Sequence, residues 1–490
     1  MRNAALLGSL LLAGCNLAPK YRPPAAPVAP AYPAASDRAE ASALPSDTLG
    51  YRDYFLDPRL RALLDRALRS NRDLAQSVAQ IAQARARFRI QDSQRLPTFE
   101  LNADGTRSRT PSNSLGFGGA VPGAGDAAQP AAIEVEQYNA NVGVASYELD
   151  FWGRLRNLAE AERLRYLGTI EGVRAARLTL VANVASTYFS IRGGEARIAL
   201  AERTLEGRRR GVAIAKDRLD AGVTSTVDFD QSVQLETQAE ADLAEVRRTT
   251  QQSRNYLEVL VGGPVTGALP AALPFETSPV RSISAGLPSD LLINRPDIRE
   301  AEYNLRAAGA DIGALRAQFF PSISLTGALG FASPAIGDLF KGDSVSWNFG
   351  GALNLPIFDW GRRRAQVREA QARADELVAL YQRTTQSAFQ EVADALVGRE
   401  RYQEQLAATT REVQAQRRLV ETARLRYDNG IAIYLEVLDA ERNLFATEQE
   451  LLQLRATELQ NVVTLYTALG GGQIDRTAPF EVEAGRNDAR

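Results

Sequence analysis

The segment Ser322 to Phe331 reads SISLTGALGF and alternates from end to end. Ile323, Leu325, Leu329 and Phe331 fall on one face, and Ser322, Ser324, Thr326, Ala328 and Gly330 on the other. After a turn-rich loop, Val345, Trp347, Phe349, Leu353 and Leu355 stand opposite Ser346, Asn348, Gly350, Ala352 and Asn354. Alternation of this period over about ten residues is the pattern of a membrane-spanning β-strand. Two earlier segments alternate as well: Phe99 and Leu101 against Glu100, Asn102 and Asp104, and then Tyr138 to Val144. The phase slips before Tyr147, which a β-bulge would explain but the sequence does not settle. The predicted strands cover about 98–107, 138–150, 322–331 and 345–355.

Elsewhere the pattern is helical. A helix of moderate length leads to Pro97 in the first half, and Asp297 to Phe319 leads to Pro321 in the second. In each case proline stops the helix. Much longer runs follow the strands, about Arg154 to Leu219 and Arg362 to Tyr427. At 1.5 Å per residue, about 60 residues of helix extend about 90 Å. Loops at Gly222 and Gly430 reverse the chain into Val227 to Leu260 and Leu435 to Leu469. Heptad-like apolar positions such as Val420, Ala423, Tyr427, Leu438, Leu444, Leu451 and Leu454 predict antiparallel helix pairs and read as their core.

These elements are written twice. LDFWGRLRNLAEAE (Leu149 to Glu162) returns as IFDWGRRRAQVREA (Ile357 to Ala370), with Gly153 and Gly361 208 positions apart. The same shift pairs RLDAG with RYDNG (Arg218 and Arg426) and Gly262-Gly263 with Gly470-Gly471. Upstream, Pro97 matches Pro321 at a shift of 224, so the first half carries about 16 extra residues in the Gly/Pro/Ala-rich stretch before Gly153. The chain is a tandem duplication of a hairpin plus long helices.

Composition removes several chemistries. The 490 residues carry a formal charge of −2, with 24% charged residues of interspersed sign and no basic face suited to nucleic acid. There is no histidine and one cysteine, Cys15. Metal centres and histidine-based catalysis therefore lack their ligands and bases, and no cofactor or enzyme activity is expected.

The opening MRNAALLGSLLLAGC resembles a bacterial lipoprotein signal, with Arg2, the apolar Leu6 to Leu12, and a small-residue box ending at Cys15. That apolar stretch is too short to span a bilayer. In lipoproteins a cysteine so placed is acylated. The residue after it, Asn16, is not the aspartate of inner-membrane retention, so outer-membrane sorting is expected. The proline-dense Ala18 to Ala35 predicts an extended tether. The expected division is a signal peptide at 1–14, the acylated cysteine and tether at 15–58, and a first repeat at 59–263. A linker at 264–293, a second repeat at 294–471 and a tail at 472–490 complete it.

Four strands cannot stand alone in lipid. Every backbone group in a bilayer must be paired internally, so an open sheet is excluded. Barrels smaller than eight strands are not seen, and eight leave no aqueous channel. Three copies would supply twelve strands around a polar lumen. The expected fold class is an α+β membrane protein, a trimer whose twelve-stranded outer-membrane β-barrel continues into a periplasmic α-helical barrel.

CNLAPKYRPP, YELDFWGR, PIFDWGRR, LINRPDIREAE and YDNGIAIYLEVLDAERNLFATEQ carry a resemblance that covers essentially the whole mature chain. It resembles the TolC-like outer-membrane factors, in the NodT-like lipoprotein branch. Departures are Asn294, where many relatives have a second basic residue, and Phe151-Trp152, where many have leucine-phenylalanine. The resemblance implies a homotrimeric outer-membrane efflux channel, engaged at its periplasmic end by an adaptor protein and an inner-membrane RND-type pump. It also implies a periplasmic gate. The family's constriction motif falls on Leu435, Asp439 and Arg442, a neighbouring carboxylate on Glu436, and the tethering tyrosine on Tyr427. The first-half counterparts are Val227, Gln231, Gln234, Asp228 and Leu219. Three Asp439 carboxylates around one axis, about 6 Å apart, would repel by about 0.7 kcal/mol per pair in water and more where water is scarce. On the residues alone, Asp439 and Arg442 also fit an ordinary surface pair. A type I protein-secretion channel of the same fold and a lipid-anchored periplasmic coiled-coil scaffold remain alternatives.

Overall fold

The computed structural model describes residues 16–29, 32, 44–45, 49–111, 132–277, 279–281, 283–284 and 288–471. The expected signal peptide at 1–14, Cys15, most of the Gly/Pro/Ala-rich insertion and the expected tail at 472–490 lie outside the described residues. The elements in chain order are β1 (Leu44–Pro45), α1 (Tyr51–Tyr54), α2 (Pro58–Ser70), α3 (Arg72–Ser93), β2 (Glu100–Pro111), β3 (Ala132–Leu149), α4 (Arg154–Asp220) and α5 (Thr226–Leu260). There follow β4 (Ile283–Ser284), α6 (Pro288–Asn294), α7 (Pro296–Ala317), β5 (Ser322–Ser333), β6 (Val345–Asn354), α8 (Arg362–Asp428) and α9 (Tyr434–Ala468). The duplication extends to element length. α3 and α7 have 22 residues each, α4 and α8 67, and α5 and α9 35. Among the described residues no helix is long and apolar enough to cross a membrane.

The chain divides into two compact units. The first gathers residues up to 23, 83–166 and 303–377. Its centre is an antiparallel sheet in the order β2-β3-β5-β6. The register places like with like across the strands: Ile323 opposite Leu353, Leu329 opposite Trp347 and Phe331 opposite Val345 on one face. Ser322 faces Asn354, and Ala328 faces Asn348, on the other. The apolar face continues through Val142, which pairs with Leu101 on β2 and Leu329 on β5. Its side chains are open to the surroundings, with Leu101 77% and Trp347 76% exposed. The phase slip before Tyr147 is a bulge, because the β3–β5 register shifts between Val144 and Tyr147.

The first hairpin is longer than the apolar alternation predicts. β2 continues past Arg107 to Pro111, and β3 begins at Ala132, before Tyr138. The added length puts charge on the face that is apolar below it. Arg107 pairs with Glu134 at 2.9 Å and Glu136 at 3.3 Å. Backbone pairing persists there without hydrophobic periodicity, which is why a pattern of apolar residues misses it.

At the twice-written junction, Gly153 (φ 73°) and Gly361 (φ 84°) take the left-handed conformation that turns strand into helix. The two copies differ around that turn. Trp152 donates its indole N–H to the Pro321 carbonyl at 2.9 Å and stacks on Phe320. A phenylalanine at that position could not make that bond. Trp360 is 90% exposed and lies edge-on to Phe358. Arg154 grips Glu148 through two bonds of 2.8 and 2.6 Å, and Arg363 grips Asp359 at 2.7 Å. The proline-rich N-terminal segment is seated on α7 in this unit. Arg316 donates to the Leu17 carbonyl at 3.3 Å, and Arg306 lies 5.5 Å over the Tyr21 ring. A Cβ at Gly313 would come within 2.7 Å of Ala18, so only glycine leaves room there.

The second unit comprises 24–82, 167–302 and the residues from 378 onward. Its core forms around α2, where Asp57 caps the helix by accepting from the Arg59 and Leu60 amides and also takes the Tyr188 hydroxyl at 2.7 Å. Leu60 and Leu64 pack there among Tyr54, Phe55 and Tyr466, all almost wholly buried. The glycine pairs end α5 and α9 at matching places. A Cβ at Gly262 would strike the Ser70 carbonyl, and one at Gly470 would lie 2.8 Å from the Asn294 carbonyl. Between α6 and α7, Arg295 of the RPDI motif is buried and donates to Asp297 and Glu391 at 2.6 Å each and to the Ala468 carbonyl at 3.0 Å. Burial opposes its charge, but the two carboxylates more than offset this and raise its pKa. Both carboxylates are half-exposed and can turn to water. Arg295→Leu is therefore expected to cost about 2–3 kcal/mol, read as a lowered thermal midpoint with unaltered sheet content by circular dichroism.

Candidate functional site

The helix-reversing ends lie in the second unit, and the two copies are built differently. After α4, Gly222 (φ 69°) and the Val223 N–H to Arg218 carbonyl bond (3.0 Å) close the turn. Ser225 then caps α5 in a reciprocal box with Asp228. The Thr224 hydroxyl, first, and the Ser225 amide and side chain hold the Asp228 carboxyl below its usual range. After α8, Gly430 (φ 73°) and the Ile431 N–H to Arg426 carbonyl bond (2.8 Å) make the same turn. Ile433 offers no side-chain cap, and Glu436 in the first turn of α9 instead lies 3.5 Å from Arg426. A carboxylate at that end is favoured by the helix dipole. Val223, Ile431 and Ile433 are each about 70% exposed, so both tips present apolar side chains.

Leu435, Asp439 and Arg442 are spaced four and three residues apart, which puts them on one stripe of α9. Asp439 and Arg442 pair at 3.1 Å, and both are half-exposed. Glu436 and Tyr427 do not join that stripe. The Tyr427 ring lies 5.0 Å from Tyr434 and receives the Arg218 guanidinium of α4 at 4.9 Å. Tyr427 thus ties the second-half turn to the first-half helix.

A second tie was not anticipated from the sequence. Glu441 accepts from Arg208 of α4 and from Arg424 of α8, the latter at 2.6 and 3.1 Å. The Arg208 side chain is only 7% exposed. Burial lowers its pKa and Glu441 opposes that shift. One carboxylate therefore holds three helices two turns beyond Leu435. The duplication hides this cluster, since Arg208 matches Gln416 and Glu441 matches Val233. Among the described residues no group of three or more His, Cys, Asp or Glu is placed to hold a metal.

The sequence model of the family described as outer membrane efflux protein matches residues 63–263 and 287–471, most of both halves. The chain belongs to that family. It is 39% identical over 478 residues to the solvent efflux pump outer membrane protein SrpC of Pseudomonas putida, covering 96% of this chain and 98% of that protein. It is 38% identical to the cation efflux system protein CusC of Escherichia coli, over 95% of this chain and 97% of that one. Among solved structures, the open state of the Neisseria gonorrhoeae MtrE outer membrane channel superposes with a TM-score of 0.83 at 35% identity, covering 93% of this chain and 98% of that one. As an outer membrane efflux protein the chain is a transporter of the outer membrane, with the α+β, twice-repeated fold of those channels.

Proposed function

We propose that three copies of this chain form one channel, the passive exit duct of a tripartite efflux system. The observation that carries the reading is the four-stranded sheet. Among the described residues its edge strands, β2 and β6, have no outer partner, and one face is apolar and open. Joining β6 of each copy to β2 of the next closes twelve strands, leaves no edge in lipid, and turns the Ser, Asn, Ala and Gly face to a wet lumen. Trp360 and Phe358, exposed at the strand-to-helix junction, suit the aromatic belt of a membrane interface. Arg107, Glu134 and Glu136 suit the outer rim.

By the same threefold symmetry α9 brings three Asp439–Arg442 pairs and three Leu435 side chains to one aperture, where a ring of carboxylates would favour cations. The exposed apolar tips at Val223 and Ile431 are suited to a periplasmic adaptor, and an RND-type inner-membrane pump would stand behind it. The similarity to SrpC and CusC is nearly equal although one is named for solvents and the other for cations. Such a pattern fits a duct whose cargo is chosen by the pump. Acylation at Cys15 would add an outer-membrane lipid anchor, each buried methylene contributing about 0.8 kcal/mol.

Planar-bilayer recording tests the gate. Replacing Asp439 and Arg442 with alanine is expected to raise single-channel conductance several-fold and to weaken cation preference. Unchanged conductance removes both residues from the aperture. A detergent-purified species with the mass of one subunit and no channel activity overturns the duct itself.

A further inference from the structure

The edges of the four-stranded sheet are β2, with 12 residues, and β6, with 10. Their faces limit how two copies can meet there. On both strands the odd-numbered residues carry the apolar face, Leu101 on β2 and Trp347, Phe349 and Leu353 on β6. An antiparallel seam that keeps apolar side chains together therefore pairs odd with odd, and a slip of one residue is excluded.

Three such registers overlap the strands well, setting Ala352 opposite Glu100, Asn102 or Asp104 of the next copy. They differ in how far the strands must lean. Within one copy a single row crosses the sheet through Leu101, Val142, Leu329 and Trp347. The three registers hand that row from Trp347 to Gly105, Arg107 or Arg109 of the next copy, four, six or eight residues beyond Leu101. Over three copies these offsets tilt the strands by about 35°, 45° or 55°, at about 3.3 Å per residue and about 4.8 Å between strands. The last is steeper than the tilt of about 35–45° that barrels adopt. The first sets Leu353 and Asn354 opposite residues that precede β2, which begins at Glu100, and leaves them unpaired. The middle register pairs all 10 residues of β6.

Side chains agree with the middle register. It places Phe349 opposite Gly105 of the next copy, over which the Tyr138 ring lies, so aromatic meets aromatic on the apolar face. On the polar face it places Glu100 of the next copy opposite Asn354. Asn354 and Arg362 border one cavity of about 310 Å³ at the strand-to-helix junction. Of the arginines there, Arg154 is held by Glu148 and Arg363 by Asp359, whereas exposed Arg362 has no carboxylate within ion-pair distance among the described residues. Asp150, on the same wall, accepts from the Arg156 amide through one oxygen and buries the other. Glu100 is exposed and belongs to no ion pair among the described residues. The seam brings these two opposite charges together.

We propose that β6 of each copy joins β2 of the next with Ala352 opposite Asn102, and that Glu100 and Arg362 pair across the foot of the seam. The register rests on the three-copy channel reading. Disulfide trapping in the purified full-length protein tests it. Ala352 and Asn102 lie on opposite edges of one sheet, about 14 Å apart, so a bond between them must join two copies. Under mild oxidation Ala352→Cys is expected to couple with Asn102→Cys at least about fivefold faster than with Glu100→Cys or Asp104→Cys. A disulfide needs Cα atoms within about 7 Å, and diagonal neighbours stand about 7–8 Å apart. Complete reaction should yield covalent trimers, with each single variant as the control for Cys15. Asn348→Cys with Thr106→Cys lies in the same register, should react equally well, and decides if the first pair does not fold. Glu100→Gln and Arg362→Gln should each shorten the trimer's lifetime in dodecyl sulfate about threefold, with the double variant no worse than either.

Faster coupling at Glu100→Cys or Asp104→Cys overturns the register and leaves the trimer standing. Trimers that couple at none of the three positions show that β6 and β2 do not meet. Additive effects of Glu100→Gln and Arg362→Gln overturn the ion pair. A protein that purifies only as one subunit overturns the channel and the seam together.

Discussion

Leu329→Arg is expected to prevent assembly into the proposed trimer and leave the chain out of the outer-membrane fraction. Leu329 stands in the middle of β5, between Val142 of β3 and Trp347 of β6, and is 63% exposed on the apolar face. If that face meets lipid, an arginine near the bilayer midplane costs about 2–4 kcal/mol in each subunit, or about 6–12 kcal/mol across three copies. This is comparable with the whole stability of a domain. The control is Thr326→Lys, three positions earlier and on the opposite face, beside Gly350. There the new charge would stand in the lumen, so assembly should survive and ion preference should shift toward anions. Semi-native electrophoresis with and without heating reads the first variant, and reversal potentials in a salt gradient read the second. Normal oligomers from Leu329→Arg would mean that this face is not the lipid face.

The contrast between those two substitutions was legible in the sequence because period two sorts side chains onto faces before any register is known. Ile323, Leu329 and Phe331 could be assigned to one surface from spacing alone. The repeat then supplied helix boundaries that agree within a residue or two, as at Gly222 and Gly430. What escaped has common physical causes. The strand extension beyond Arg107 is held by backbone pairing and surface ion pairs, neither of which leaves an apolar period. Arg295 was visible as part of a motif, but its burial against Glu391 and the Ala468 carbonyl depends on residues up to 173 positions away. At the proposed aperture, the stripe of Leu435, Asp439 and Arg442 follows from helical spacing, whereas Glu436 and Tyr427 face Arg426 and Arg218 for reasons of tertiary packing. The repeat also misleads where the halves have diverged. A search for paired charges at matching positions passes over Arg208, because its counterpart Gln416 is neutral.

Glu441→Gln is expected to loosen the start of α9 and widen the proposed aperture without touching Asp439 or Arg442. The substitution removes the carboxylate that Arg208 and Arg424 share. Arg424 is exposed and can hydrate, but the Arg208 side chain is 7% exposed and is left as an unpaired charge. Breaking such a buried pair from one side costs about 3–5 kcal/mol. The structure relieves that cost by letting α9 separate from α4, so hydrogen exchange across 434–442 should quicken and single-channel conductance should rise. Removing both partners separates this effect from simple damage. A buried pair replaced by apolar side chains of similar volume is often neutral, so Arg208→Leu with Glu441→Leu should recover most of the lost stability. The coupling between the two sites in a double-mutant cycle should then exceed about 1 kcal/mol. Additive effects, with exchange at 434–442 unchanged in Glu441→Gln, would show that the three helices are held by their apolar seams alone and that Glu441 is a bystander to the gate.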